Sequence, residues 1–136
     1  MKFTDSVKNV LLVDDDTNIT FLTKMALEEL TDWHIEEAAS GAQALNMVGL
    51  TKPDLILLDA MMPMMDGRET YGKLREIPLL SGTRIIFVTA KVQSAEMAQY
   101  LELGADGVIT KPFDPIALVD EIDRVVAQSQ SGRAAR

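Results

Sequence analysis

Five short apolar runs alternating with five helical periods predict a doubly wound α/β fold: a five-stranded parallel sheet, order 2-1-3-4-5, with helices on both faces. The first and third runs are continuously apolar, as strands covered on both sides are, and do not alternate with polar residues. The first and third runs are the richest in branched apolar residues, which places them in the middle of the sheet.

Residues 9–13 (N-V-L-L-V) make the first strand, which stops at Asp14, Asp15 and Asp16. Asp16 is placed to cap a helix over residues 17–30, in which Leu22, Met25, Ala26 and Leu30 fall on one face. Residues 33–38 form a second, more polar strand, suited to a sheet edge. Ser40 with Gln43 three positions later has capping-box spacing and opens a helix running to about Gly49. Pro53 precedes the third strand, residues 54–58. A methionine-rich loop from Asp59 to Gly67 follows, then a helix over residues 68–76. The Pro78–Gly82 turn leads to a fourth strand, residues 83–88. A helix over residues 94–103 stops at Gly104, the expected left-handed terminator. Residues 107–110 are the fifth strand. Asp114-Pro115 reads as an N-cap with proline in the first turn, and Leu118, Val119, Ile122, Val125 and Val126 stripe the last helix. Residues 1–128 are thus expected to be one domain, with 129–136 a flexible C-terminal tail.

The chain has 136 residues, 47% hydrophobic and 25% charged, ordinary values for a globular domain able to bury its own core. It has no cysteine, which excludes disulfides, thiol nucleophiles and cysteine-ligated metals; its single histidine, His34, excludes a multi-histidine site. Thirteen Lys and Arg against 21 Asp and Glu give a charge of −8, which argues against direct contact with nucleic acid or anionic membrane. No apolar run approaches the roughly 18 residues of a membrane span and no secretory signal is evident, so the expected location is cytoplasmic.

In a doubly wound sheet, ligands bind beyond the carboxyl ends of the strands. Asp14 and Asp15 stand at the end of the first strand, Asp59 at the third, Thr89 at the fourth and Lys111 at the fifth. Two carboxylates about 4 Å apart repel by roughly 4 kcal/mol at an effective dielectric near 20, so something must neutralise this cluster. A shared proton, the lysine or a divalent cation would each serve. Hard carboxylate oxygens suit magnesium, especially where a phosphate shares the ion, and lysine and threonine donate to phosphoryl oxygens. The set fits phosphoryl transfer, with Asp59 as nucleophile forming an acyl phosphate.

These residues lie in stretches that resemble the receiver domain of two-component response regulators, in its chemotaxis-type single-domain form. The stretches are Leu11-Leu-Val-Asp-Asp-Asp16, Pro53 through Gly67 (P-D-L-I-L-L-D-A-M-M-P-M-M-D-G), Val88-Thr-Ala90, Gly104-Ala-Asp-Gly107 and Lys111-Pro-Phe113. The resemblance covers about residues 8 to 128. It implies that Asp59 accepts a phosphoryl group from a sensor histidine kinase or a histidine phosphotransfer protein, and that the phosphorylated domain switches its binding of a downstream protein. It further implies magnesium, or another divalent cation such as manganese, held by Asp15, Asp59 and the Met61 carbonyl, with Asp14 acting mainly through water. Thr89 and Lys111 would bind phosphoryl oxygens, and the Lys111–Pro112 bond would be cis. The domain would catalyse only its own phosphorylation and dephosphorylation.

The chain departs from the family pattern three residues before the lysine, where Val108 replaces the usual switching aromatic. Met61 and Lys91 occupy positions that tune hydrolysis in the family. The four methionines at 61, 62, 64 and 65 read either as an adaptable docking lip for a partner or, the preferred reading, as two facing the core with the others incidental; Met97 and Tyr100 are candidates for an output surface. An aspartate-nucleophile phosphatase is the competing enzyme class. It needs its nucleophile on the first strand in an Asp-x-Asp pattern followed by Thr or Val two residues on, and Asp14-x-Asp16 is followed by Thr17 and Asn18. A receiver fold that only docks would not need the acidic pair with Asp59 and Lys111. A flavin-binding domain would need a phosphate loop after the first strand, which is absent.

Overall fold

The computed structural model describes residues 1–90 and 93–134. Five parallel strands, β1 (Asn9–Val13), β2 (His34–Ala38), β3 (Leu55–Asp59), β4 (Arg84–Thr89) and β5 (Gly107–Thr110), lie in the order β2-β1-β3-β4-β5. The polar second run is an edge strand, as expected, and β3 is the central one, with all five residues buried. Register pairs Val13 with Leu58, Asp59 with Val88 and Thr89 with Thr110, so the strands bearing the acidic, hydroxyl and lysine residues end level with one another.

Four helices connect them, α1 (Thr17–Leu30), α2 (Gly41–Thr51), α3 (Gly67–Arg75) and α4 (Ser94–Glu102), and α5 (Leu118–Ala134) follows β5. Leu11, Val13, Ile56, Leu58, Ile85 and Phe87 face one layer with Ala44 and Val48 of α2, Tyr71 and Leu74 of α3, and Tyr100 of α4. The alternate strand residues Val10, Leu12, Leu55, Leu57, Ile86 and Val88 face the other layer, with Leu27 of α1 and Leu118, Ile122, Val125 and Val126 of α5. This two-period alternation is what lets one sheet carry apolar cover on both sides.

Local chemistry sets most helix ends. The Asp16 carboxylate accepts from the Asn18 and Ile19 amides at the head of α1, and Asp66 accepts from Glu69 N at the head of α3. Ser40 accepts from Gln43 N, while Gln43 Oε1 accepts from Ala39 N at 2.7 Å, so the return bond lands one residue before the cap. Gly104 has φ +108, the left-handed stop expected after α4.

Three readings need correction. The face of α1 that meets the sheet is Thr20, Thr23 and Leu27; Leu22, Met25 and Leu30 are half or more exposed. Threonine can sit inside because its hydroxyl bonds its own helix, as Thr20 Oγ1 does to Thr17 O, so the apolar stripe of the sequence turns outward. The last helix starts at Leu118: Asp114 Oδ1 accepts from Ile116 N, and residues 115–117 form a separate turn. It also continues past Gln128 to Ala134. Among the described residues, no helix is long and apolar enough to cross a membrane.

Candidate functional site

Asp14 follows directly on β1 and is 6% exposed, because its backbone N–H still pairs with Ala38 O of the edge strand and holds it at the rim. One of its carboxylate oxygens, Oδ1, accepts from Asp16 N at 2.9 Å. Its other oxygen, Oδ2, receives the Lys111 ammonium at 2.7 Å. Asp59 closes β3 and is 5% exposed. It lies 3.5 Å from Lys111 Nζ and accepts from Met61 N at 3.2 Å. Asp15, next to Asp14, is exposed. Carboxylate oxygens of Asp14, Asp15 and Asp59 lie within 4.8 Å of one another.

Thr89, fully buried, ends β4, and its carbonyl accepts from Lys111 N at 2.8 Å, which fixes the start of the β5–α5 loop against the neighbouring strand. The Lys111–Pro112 peptide is cis, as the resemblance implied. The five strand-end residues of the sequence reading therefore sit along a single rim of the sheet. Lys91 and Val92 lie outside the described residues.

Electrostatics follow from the geometry. Burial, and next the Asp14 charge, push Asp59 from an ordinary 3.8 up to about 6; the Met61 N–H and the Lys111 ammonium oppose this and do not prevail. Burial alone would lower Lys111, but its hydrogen bond to Asp14 and the charges of Asp59 and Asp14 outweigh that and raise it. Three carboxylates against one ammonium leave an excess of negative charge in a small volume. Hard oxygen donors in that surplus are the donor set of a divalent cation such as magnesium.

A match to the response regulator receiver domain model spans residues 10–123, nearly the whole sheet and its helices. The chain belongs to this family. Receiver domains of this kind serve two-component systems, and the relatives fit. The chemotaxis protein CheY of Halobacterium salinarum is 38% identical over 120 residues, covering 88% of this chain and 97% of that protein. The alkaline phosphatase synthesis transcriptional regulatory protein PhoP of Bacillus subtilis is 36% identical over 123 residues, covering 90% of this chain and 50% of PhoP. The phosphate regulon regulator PhoB of Pseudomonas aeruginosa is 38% identical over 125 residues, covering 92% of this chain and 54% of PhoB. The receiver thus spans about half the length of these two regulators. Among solved structures, Vibrio cholerae CheY4 matches with TM-score 0.80 and 29% identity, covering 88% of this chain and 99% of CheY4.

Several neighbours of the site escaped the sequence reading. Val108, at the usual aromatic position, is buried at 7%, and two aromatics pack on Phe87 of β4: Tyr100 from α4, ring centroids 4.6 Å apart, and Tyr71 from α3, 5.5 Å apart. Tyr100 is 3% exposed, so it is a core residue and does not belong to an output surface. Of the loop methionines, Met62 is buried in the core and Met65 is half-buried outside it, while Met61 and Met64 are exposed, so the core takes one where two were expected. Gly67 was legible only as a turn residue. Its Cα packs so closely on the end of β3 that a methyl group there would collide with the Asp59 carbonyl and lie 2.7 Å from Ala60 Cα.

Proposed function

We propose that Asp59 is the phosphoacceptor, taking its phosphoryl group from a phosphohistidine on a sensor kinase or phosphotransfer protein. The observation that carries this reading is a buried carboxylate with a raised affinity for protons, flanked by Asp14, Asp15 and the Lys111 ammonium. An Asp59 Oδ atom attacks phosphorus, the P–N bond of the donor breaks, and its electron pair returns to the imidazole, which takes up a proton. Asp15, Asp59 and the Met61 carbonyl are the residues that would hold magnesium or manganese, with Asp14 acting through water. The ion would supply positive charge for the transferring oxygens.

The chain's own residues do the rest. Lys111, already held beside both carboxylates, donates to a phosphoryl oxygen, and Thr89 at the level end of β4 offers a hydroxyl to another. The same groups serve the slower return reaction with water, so turnover is confined to the domain's own acyl phosphate. The acquired charge then biases pre-existing states of the domain and changes the binding of a downstream protein.

The test is incubation with acetyl phosphate and magnesium followed by intact mass. The expected result is one added phosphoryl group, absent in Asp59→Asn and strongly reduced without divalent metal. A wild-type protein that stays unmodified by acetyl phosphate and by phosphohistidine donors alike would overturn the assignment.

A further inference from the structure

Helix α4 is the least anchored helix of the sheet. It has nine residues, its N-cap Gln93 makes no side-chain capping bond, and it buries one side chain, Tyr100. On its α5 flank lies a groove of about 270 Å³ lined by Met97, Leu101, Val108 and Val125, space that the small Val108 leaves open. Few buried contacts and room to shift are the marks of a low-stability element.

What holds α4 on its other flank comes from α3. Arg68, the second residue of α3, donates to Gln99 Oε1 at 2.7 Å and lays its guanidinium 5.0 Å from the centre of the Tyr100 ring. Tyr71, one turn on, stacks at 5.5 Å on Phe87, the same ring that Tyr100 covers, and its hydroxyl crowds Gly104 just past the end of α4. Arg75, a further turn along, is fixed: it donates to the Leu80 and Thr83 carbonyls and to the buried Asp106 carboxylate. One face of α3 thus runs from an immobile far end to a near end that grips α4.

That near end sits on the phosphoacceptor. Gly67 N donates to Ala60 O at 3.1 Å and Gly67 Cα abuts the Asp59 peptide with no space between. The Asp59 oxygen that accepts from Met61 N is one of the two that a phosphoryl group can esterify, and esterification there would remove that acceptor's charge and readjust the loop between Asp59 and Gly67.

We propose that α3 is the lever that reports the state of Asp59 to α4, with Arg75 as its fulcrum and the Arg68 grip on Gln99 and Tyr100 as its working end. In this chain the route runs through α3, where a β5 aromatic is replaced by Val108. The proposal rests on the phosphoacceptor reading of Asp59.

Hydrogen exchange of the α4 amides in the full chain, with and without magnesium and beryllofluoride as a phosphoryl mimic, tests it. Bound fluoride is monitored independently by its ¹⁹F resonances. In the wild type, binding should change α4 exchange several-fold. In Arg68→Gln, an exposed position where folding is safe, loss of the grip should speed α4 exchange about five-fold without the mimic. Its α4 should then show no further response, while bound fluoride stays at the wild-type level. Gln99→Ala should shift the same amides in the same direction. Bound fluoride with an unresponsive wild-type α4, or with an Arg68→Gln response equal to wild type, overturns the lever alone. No bound fluoride in the wild type overturns the phosphoacceptor reading and the lever together.

Discussion

The Lys111 ammonium lies 2.7 Å from the Asp14 carboxylate and 3.5 Å from that of Asp59, so without a metal it serves Asp14 first. Removing one partner of a buried ion pair leaves an uncompensated charge, which costs more than the pair gains. Lys111→Met should therefore lower stability by about 3 kcal/mol at neutral pH without divalent metal, the low end for a pair that keeps some solvent contact. Magnesium should recover part of that loss. Urea denaturation with and without magnesium measures both; equal midpoints for variant and wild type would refute the claim.

Asp59 gives a pH signature. Its affinity for protons is higher folded (about 6) than in the unfolded chain (about 3.8), so the native state binds more protons between those values. Its contribution to stability is greatest below pH 4 and declines as pH rises to about 6, after which the cost of the buried charge is constant. Asp59→Asn should remove that cost: in metal-free buffer it raises the melting temperature above pH 6, by an amount worth up to a few kcal/mol, and matches wild type near pH 4. Melting curves across pH 4–8 in chelator are the measurement, and a wild-type advantage at pH 7 is the adverse result.

Asp15 separates metal binding from folding. It is exposed, whereas Asp14 and Asp59 are buried beside it. Asp15→Asn should change stability by less than about 0.5 kcal/mol in chelator, as surface substitutions do. It should nevertheless weaken magnesium binding by about tenfold or more, since a unit charge beside the ion is lost. Calorimetric titration with magnesium reads the affinity directly, and unchanged binding would remove Asp15 from the ligand set.

The corrected face of α1 is testable by packing. Leu27 is fully buried, and Leu27→Ala should cost about 2–5 kcal/mol. Leu22→Ser and Met25→Ser, on the outward stripe, should fall within about 0.5 kcal/mol of wild type. The reverse order in urea denaturation would restore the periodicity reading.

A fifth expectation concerns the far end of the sheet. Asp106, 1% exposed, takes ion pairs from Arg75 at 3.2 Å and Arg84 at 3.0 Å and a hydrogen bond from Ile85 N. Asp106→Ala should cost about 3–5 kcal/mol by leaving two guanidinium groups uncompensated. Chemical denaturation checks it, and a loss under 1 kcal/mol would show that solvent compensates both arginines.

The strands were legible because burial on both faces compels continuous apolar runs such as Leu55 to Leu58, a signal needing no tertiary information. The acidic and hydroxyl rim followed, since Asp14, Asp59 and Thr89 each terminate such a run. Helix orientation was less legible where chemistry and hydrophobicity part. Thr20 and Thr23 bury themselves, while Phe21, Leu22 and Met25 stay outside, and periodicity ranks residues only by apolarity. Contacts between distant elements left no trace in the sequence: nothing near Arg68 announces Tyr100, and nothing near Asp106 announces Arg75. The division of Lys111 between two carboxylates likewise depends on ångström-scale placement.

The packing of Gly67 on the Asp59 peptide gives that position an unusual sensitivity. One added carbon would wedge apart the nine-residue helix and the strand end beneath it, so a substitution with negligible effect on hydrophobicity or charge would act as a mechanical shim. Tolerance at residue 67 is thus governed by thickness, and even alanine is too thick.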